Sequence, residues 1–125
     1  LVIFGHIVAV RGPSFAFDFF PGFAGISFSL WWMPGWFYVY YTLLGASALY
    51  HGLNGTWLAL HALGLRRDAS LPGGRPALFG PVVAGTLLLV LALLAFGGRL
   101  FPIADPRDNA YARMWERYGV ELGVR

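Results

Sequence analysis

Three histidines, His6, His51 and His61, are the side chains in the uncharged stretches of this sequence that could ligate a metal or titrate near neutral pH. His51 stands in the run Tyr50-His51-Gly52-Leu53-Asn54-Gly55-Thr56-Trp57. A neutral imidazole is a good axial ligand for haem iron, and an apolar setting penalises an imidazole left without a partner. Ser47 lies one helical turn before His51 and Gly55 one turn after. Small residues there leave room on the histidine's face for a flat macrocycle or a neighbouring helix. The plainer alternative is a histidine that hydrogen-bonds across a helix interface. His6 follows Gly5 in another apolar run and offers the same two choices. His61 is ten residues beyond His51, about 15 Å along a helix and about 80° round it. The two cannot share one metal. His61 reads as a solvated interfacial histidine, or as a contact to a haem propionate or a quinone head group.

Other chemistries lack their residues. There is no cysteine, which excludes disulfides, iron–sulfur ligation and thiol catalysis by this chain. The sequence shows no HExxH element, no phosphate-binding glycine loop after a strand, and no carboxylate in any expected membrane span. The net charge of +3 comes from nine arginines and no lysine. No arginine patch with interleaved aromatics occupies a polar segment, so nucleic acid is not an expected partner.

The elements that must position the histidines are set by where charge is missing. Charged residues make up 12% of the chain, against 58% hydrophobic. Soluble domains carry about 25% charged residues. No Asp, Glu, Lys or Arg occurs between Asp18 and Arg66, or between Arg75 and Arg99. Stretches of that length are candidates to cross a bilayer. The fold class expected is all-α: a transmembrane helix bundle of two complete membrane helices plus the end of a third, with an interfacial aromatic loop.

Leu1 to Val10 is read as the end of a helix whose beginning lies outside this sequence, stopped by Arg11-Gly12-Pro13. Ser14 to Met33 is rich in Phe and Trp and contains Pro21-Gly22, so it is expected as a loop in the headgroup region. Pro34-Gly35 opens a long helix over 36–65, closed by Gly64 and the arginines that follow. A polar turn, Asp68 to Pro76, leads to a second apolar helix over 77–96, stopped by Gly97-Gly98. Residues 1–101 form the membrane bundle and 102–125 a polar tail. In the tail, Tyr111, Met114, Trp115 and Tyr118 have amphipathic helical spacing. The arginines at 66, 67 and 75 place their turn in the cytoplasm. His51 then lies nearer the inner side and His6 nearer the outer side, the geometry of two stacked redox sites.

The stretch from Phe37-Tyr38 through His51-Gly52-Leu53-Asn54-Gly55-Thr56-Trp57 to Gly64 resembles the cytochrome b membrane anchor of succinate dehydrogenases and fumarate reductases. The His-x-x-Asn-Gly-x-Trp element, the polar turn and the featureless apolar helix are similar to the last two helices of the single-chain, di-haem type. Val2 to Val10, with Gly5-His6, is similar to the end of the helix before them. The resemblance implies His51 as an axial ligand of the haem b nearer the cytoplasm and His6 as a ligand of the other haem. Gly55 would pack against the macrocycle. It implies flavoprotein and iron–sulfur subunits as partners and quinone as substrate. The location implied is a bacterial inner membrane, crossed several times.

The chain would then be an electron-transfer subunit of the tricarboxylic acid cycle enzyme, with no bond chemistry of its own. The second ligand of each haem would come from helices outside this sequence. A related version of the family carries an Asp-Tyr pair after the histidine; here those positions are Ala62 and Leu63, so that quinone site is not carried over. Two other readings stand beside this one. One casts the chain as a small membrane scaffold or transporter segment with structural histidines, the other as a b-type cytochrome anchor of another dehydrogenase.

Overall fold

A computed structural model describes residues 2–65 and 75–117. Among these residues every regular element is helical: α1 (Val2–Phe17), α2 (Gly22–Trp32), α3 (Pro34–Ala62), α4 (Phe79–Phe96) and α5 (Ala110–Arg117), with 3₁₀ turns at Arg75–Leu78 and Pro106–Asp108. The chain divides into two compact units, 1–38 with 92–125, and 39–91. The tail expected as a separate segment therefore belongs, over its described residues, to the first unit.

Two expectations for the N-terminal third are corrected. The first helix does not stop at Arg11-Gly12-Pro13 but runs to Phe17 with Pro13 inside it. Ser14 helps carry it past the proline, its hydroxyl donating to the carbonyls of Val10 at 3.5 Å and Phe19 at 3.3 Å. The helix ends where Asp18 takes a left-handed conformation, φ 50°; aspartate is among the few non-glycine residues that tolerate it.

The aromatic loop expected from Ser14 to Met33 is largely a helix, α2. Pro21 sits at its N-cap and not in its middle, a place where a missing N–H costs nothing. Gly25 does not break the helix because its bare Cα is used. A Cβ there would stand 2.7 Å from Pro21 Cβ and 3.6 Å from the ring of Tyr111.

In the first unit, α2 is the central element. Phe28 and Leu30 are buried on it, together with Ser27 and Ser29. The Ser29 hydroxyl donates to the Gly25 carbonyl at 2.6 Å, so its polar atom is satisfied within the helix. α5 packs against α2, and Ala112 and Met114 on it are buried. Tyr111 meets Phe28 at 5.5 Å between ring centroids, and Trp115 meets Phe17 at 6.0 Å. The amphipathic reading of the tail is thus realised over Ala110–Arg117, while Tyr118 lies outside the described residues.

Asn109 joins α5 to α2. Its Oδ1 accepts from the backbone N–H groups of Tyr111 and Ala112, both at 2.9 Å, which caps the helix. Its Nδ2 donates to the Ala24 carbonyl at 3.0 Å and the Ser27 hydroxyl at 3.4 Å. On the other side of α2, Phe23 stacks edge-on against Phe96 at the end of α4, 5.2 Å away. The Tyr38 hydroxyl lies against Gly97, where a Cβ would collide with it.

In the second unit, α3 and α4 pack antiparallel through two reciprocal glycine–leucine contacts. Leu89 on α4 fills the space over Gly45 on α3, and Leu49 on α3 fills the space over Gly85 on α4. A Cβ on Gly45 would collide with Leu89 Cδ2, and one on Gly85 would stand 2.8 Å from Leu49 Cδ1. Each helix offers a glycine and, four residues later, a leucine, so the pairs interlock in only one register. Glycines at such an interface let backbones approach and extend van der Waals contact.

Both long helices end as their glycines require. Gly64, φ 70°, donates to the His61 carbonyl at 2.9 Å while Leu65 N–H reaches the Leu60 carbonyl at 3.0 Å. Gly98, φ 70°, repeats the pattern with Ala95, and Arg99 with Leu94. These are Schellman closures, which satisfy carbonyls the helix leaves open. Of the described helices, one, Pro76–Phe96, is long and apolar enough to cross a membrane, and 11% of its apolar window is buried. The second span expected, α3, has 29 residues but carries Tyr, Ser, Thr, Asn and His among its apolar ones. α1 is a shorter apolar helix.

Two substitutions test these contacts. Gly45→Leu should destabilise the α3–α4 pair by about 1–3 kcal/mol through overpacking. Adding Leu89→Gly should recover most of that loss in detergent unfolding titrations; strictly additive losses would mean the interlock does not set the packing. Asn109→Ala should cost about 1–2 kcal/mol and raise amide exchange across α5. Asn109→Asp, which keeps the acceptor and loses the donor, should fall between wild type and alanine.

Candidate functional site

The three histidines are held on two helices in different units. His51 and His61 are on α3 in the second unit, and His6 is on α1 in the first. His51 is two residues beyond Leu49, and so about 200° round the helix from the seam with α4. Its side chain is exposed, with the Tyr50 ring edge-on at 5.6 Å.

Beside His51 runs a strip of small residues, Ala48, Gly52, Gly55 and Ala59, all exposed. Their spacing of four, three and four keeps them on one face of α3. No atom lies within 4 Å of where a Cβ would stand on Gly52 or Gly55. Elsewhere, Gly45 on α3 packs on α4 and Gly64 is a helix cap. Gly52 and Gly55 instead leave an open trough next to an imidazole.

His61 is half-buried in the last turn of α3. It does not share the His51 face, as the spacing required. His6 is half-buried, but not near the C-terminal end of α1. Because α1 continues to Phe17, His6 lies eleven residues, about 16 Å, before its terminus. Among the described residues no group of three His, Cys, Asp or Glu side chains is placed to hold a metal ion.

A haem with two histidine ligands needs only one imidazole on each side of the ring. The second unit fits half of that requirement. It offers one exposed imidazole and a strip bearing nothing larger than a methyl group beside it, and within that unit His61 does not share the His51 face. No family model, no curated protein and no solved structure matches the chain.

Residues 66–74, with two of the three arginines of the expected turn, lie outside the described residues; Arg11 stands over the Phe15 ring at 5.5 Å, and the ion pairs that are placed are in the tail. Arg107 binds Asp105 through two nitrogens, Nη2–Oδ2 at 2.7 Å and Nε–Oδ1 at 3.0 Å, and its guanidinium faces Trp31 at 6.0 Å. Arg113 pairs with Asp108 at 2.7 Å. Asp105 and Asp108 are thus both exposed and ion-paired. Sequence reasoning missed that the tail docks on α2. The signal was Asn109, a capping residue directly before the Ala110–Arg117 helix.

The hydrogen bonds from Arg107 hold the Asp105 carboxyl below the usual carboxylate range. A depressed pKa contributes stability above the unfolded value, and that contribution is lost as pH falls through the folded value. The 105–107 turn should therefore be indifferent to pH from 8 to 5 and loosen only below about pH 4. Amide exchange at Arg107 and Asp108 followed against pH reads this out. Asp105→Asn should abolish the acid step, and an acid step that survives it would assign the transition to another group.

Proposed function

We propose that this chain is a helical part of a membrane-embedded electron-transfer anchor, in which His51 supplies one axial imidazole to a b-type haem and the opposite ligand comes from another helix. The observation that supports this reading is the exposed His51, turned away from the α3–α4 seam, with the open Ala48–Gly52–Gly55–Ala59 strip running between it and that seam. In a bilayer, an imbedded imidazole facing lipid without a partner is costly, so that face calls for a ligand or another protein. The haem would supply one-electron transfer. This chain would supply one ligand, room for the ring and a low-dielectric surround that tunes its potential.

On this reading α3 and α4 both cross the membrane. The complex proposed is a succinate:quinone oxidoreductase of the bacterial inner membrane. Its flavoprotein and iron–sulfur subunits would deliver or take electrons, and quinone would exchange them in the bilayer. His6 is proposed as a ligand of a second haem on the same terms, and His61 as a contact to a propionate or a quinone.

The small-residue strip also suits close approach of a neighbouring helix, with His51 hydrogen-bonded across the interface. A reduced-minus-oxidised spectrum of the purified membrane complex separates the two readings. Haem ligation predicts b-type bands that lose one haem equivalent in His51→Ala, while the complex stays assembled. A full haem content in that variant, or a wild-type complex without haem, assigns His51 to helix packing.

A further inference from the structure

The end of α4 is surrounded by exposed apolar side chains on two loops. The Phe23–Phe96 contact brings the start of α2 beside the end of α4. Phe20 leads into α2 and is 68% exposed; Leu100 and Phe101 leave α4 and are 52% and 56% exposed. Arg99, also exposed, follows the Gly98 closure directly.

Behind this collar the first unit is layered. The last turn of α4 meets α2, α2 meets α5, and the outer face of α5 carries Arg113, Glu116 and Arg117, all exposed. Those three positions, at spacings of three and one, share one helical face opposite the buried Ala112 and Met114. Polarity therefore rises in one direction away from α4. That gradient matches a membrane–water boundary, where aromatics collect with a cation just beyond them.

We propose that α2 and α5 form an interfacial cap on the end of α4: Phe20, Leu100 and Phe101 enter the headgroup–acyl boundary of the bilayer, and the charged face of α5 stays in water. The occupant of the collar is lipid, because the collar continues the lipid-facing surface of a helix long enough to span. Pro76–Phe96, 21 residues, is about 31 Å long, the thickness of a hydrocarbon core, which sets Phe96 at its edge. The inference rests on α4 crossing a membrane, not on haem binding at His51.

The absence of cysteine makes single-site spin labelling direct. Labels at Phe20→Cys, Phe101→Cys, Glu116→Cys and Leu88→Cys are read in the full chain, reconstituted in phosphatidylcholine–phosphatidylglycerol vesicles. Oxygen and an aqueous nickel chelate serve as relaxation agents. Leu88, eight residues back along α4 and 67% exposed, should lie about 12 Å deeper than Phe96.

The cap predicts labels 20 and 101 about 5–10 Å below the phosphates and label 116 in water. Leu100→Cys repeats the measurement should Phe101→Cys misfold. A deep label 88 with labels 20 and 101 as aqueous as 116 overturns the cap and leaves the span intact. Label 116 in lipid overturns it as well. An aqueous label 88 removes the span itself, and the cap with it.

Discussion

The rotation of α3 about its own axis is set by the two glycine–leucine contacts with α4. Leu89 fills the space over Gly45 and Leu49 that over Gly85, and turning α3 so that position 44 took the place of 45 would set Leu44 against Leu89. Once Leu49 is in the seam, the 3.6-residue period leaves no choice for His51. It must face away, and Ala48, Gly52, Gly55 and Ala59 fall between it and the seam. Packing thus determines which face carries the open trough. The chemistry proposed for that face depends on four residues that never touch it.

The first unit follows a different logic because it contains most of the placed charge. Its helices α2 and α5 are short, eleven and eight residues, and neither would persist alone in water. They are stabilised by one another through the Phe28, Tyr111 and Met114 contacts and through Asn109. That asparagine uses both ends of its amide. The oxygen caps α5, and the nitrogen reaches an α2 carbonyl. A side chain that serves two helices at once couples their formation, so the tail is part of the fold rather than an appendage. The Asp105–Arg107 and Asp108–Arg113 pairs sit on the outside of this unit, exposed, and contribute little to its stability.

The sequence made the long helices legible because charge is absent over whole spans and glycine marks their ends. Gly64 and Gly98 were expected stops, and both close their helices with left-handed glycine. Misreadings fell on proline. Pro13 suggested a stop, yet the helix passes through it. Pro21 suggested a break, yet it begins a helix. A proline in an aromatic stretch does not by itself say whether it ends one element or starts the next, since the same ring suits a first turn. The docking of α5 on α2 was illegible for another reason. It joins residues more than eighty positions apart, Asn109 to Ala24 and Ser27, and no local pattern encodes that pairing. For the candidate site, residue type and spacing identified His51 and Gly55 and separated His61 from them. They could not show that Gly52 and Gly55 stay open while Gly45 is filled.

That last contrast bears on what the second unit can do. All three glycines are on α3 within eleven positions, and a helix uses glycine at a cost of about 1 kcal/mol relative to alanine in its interior. At Gly45 the cost is offset by the leucine that enters the gap. At Gly52 and Gly55 nothing among the described residues enters, and on the proposed reading the offset would come from an occupant of that face. A flat ring or a closely approaching backbone would each supply it, and each would also satisfy an imidazole standing at the same edge. On the proposed reading, the glycines and the histidine would share one occupant, with a hydrogen-bonding or ligating atom at its border.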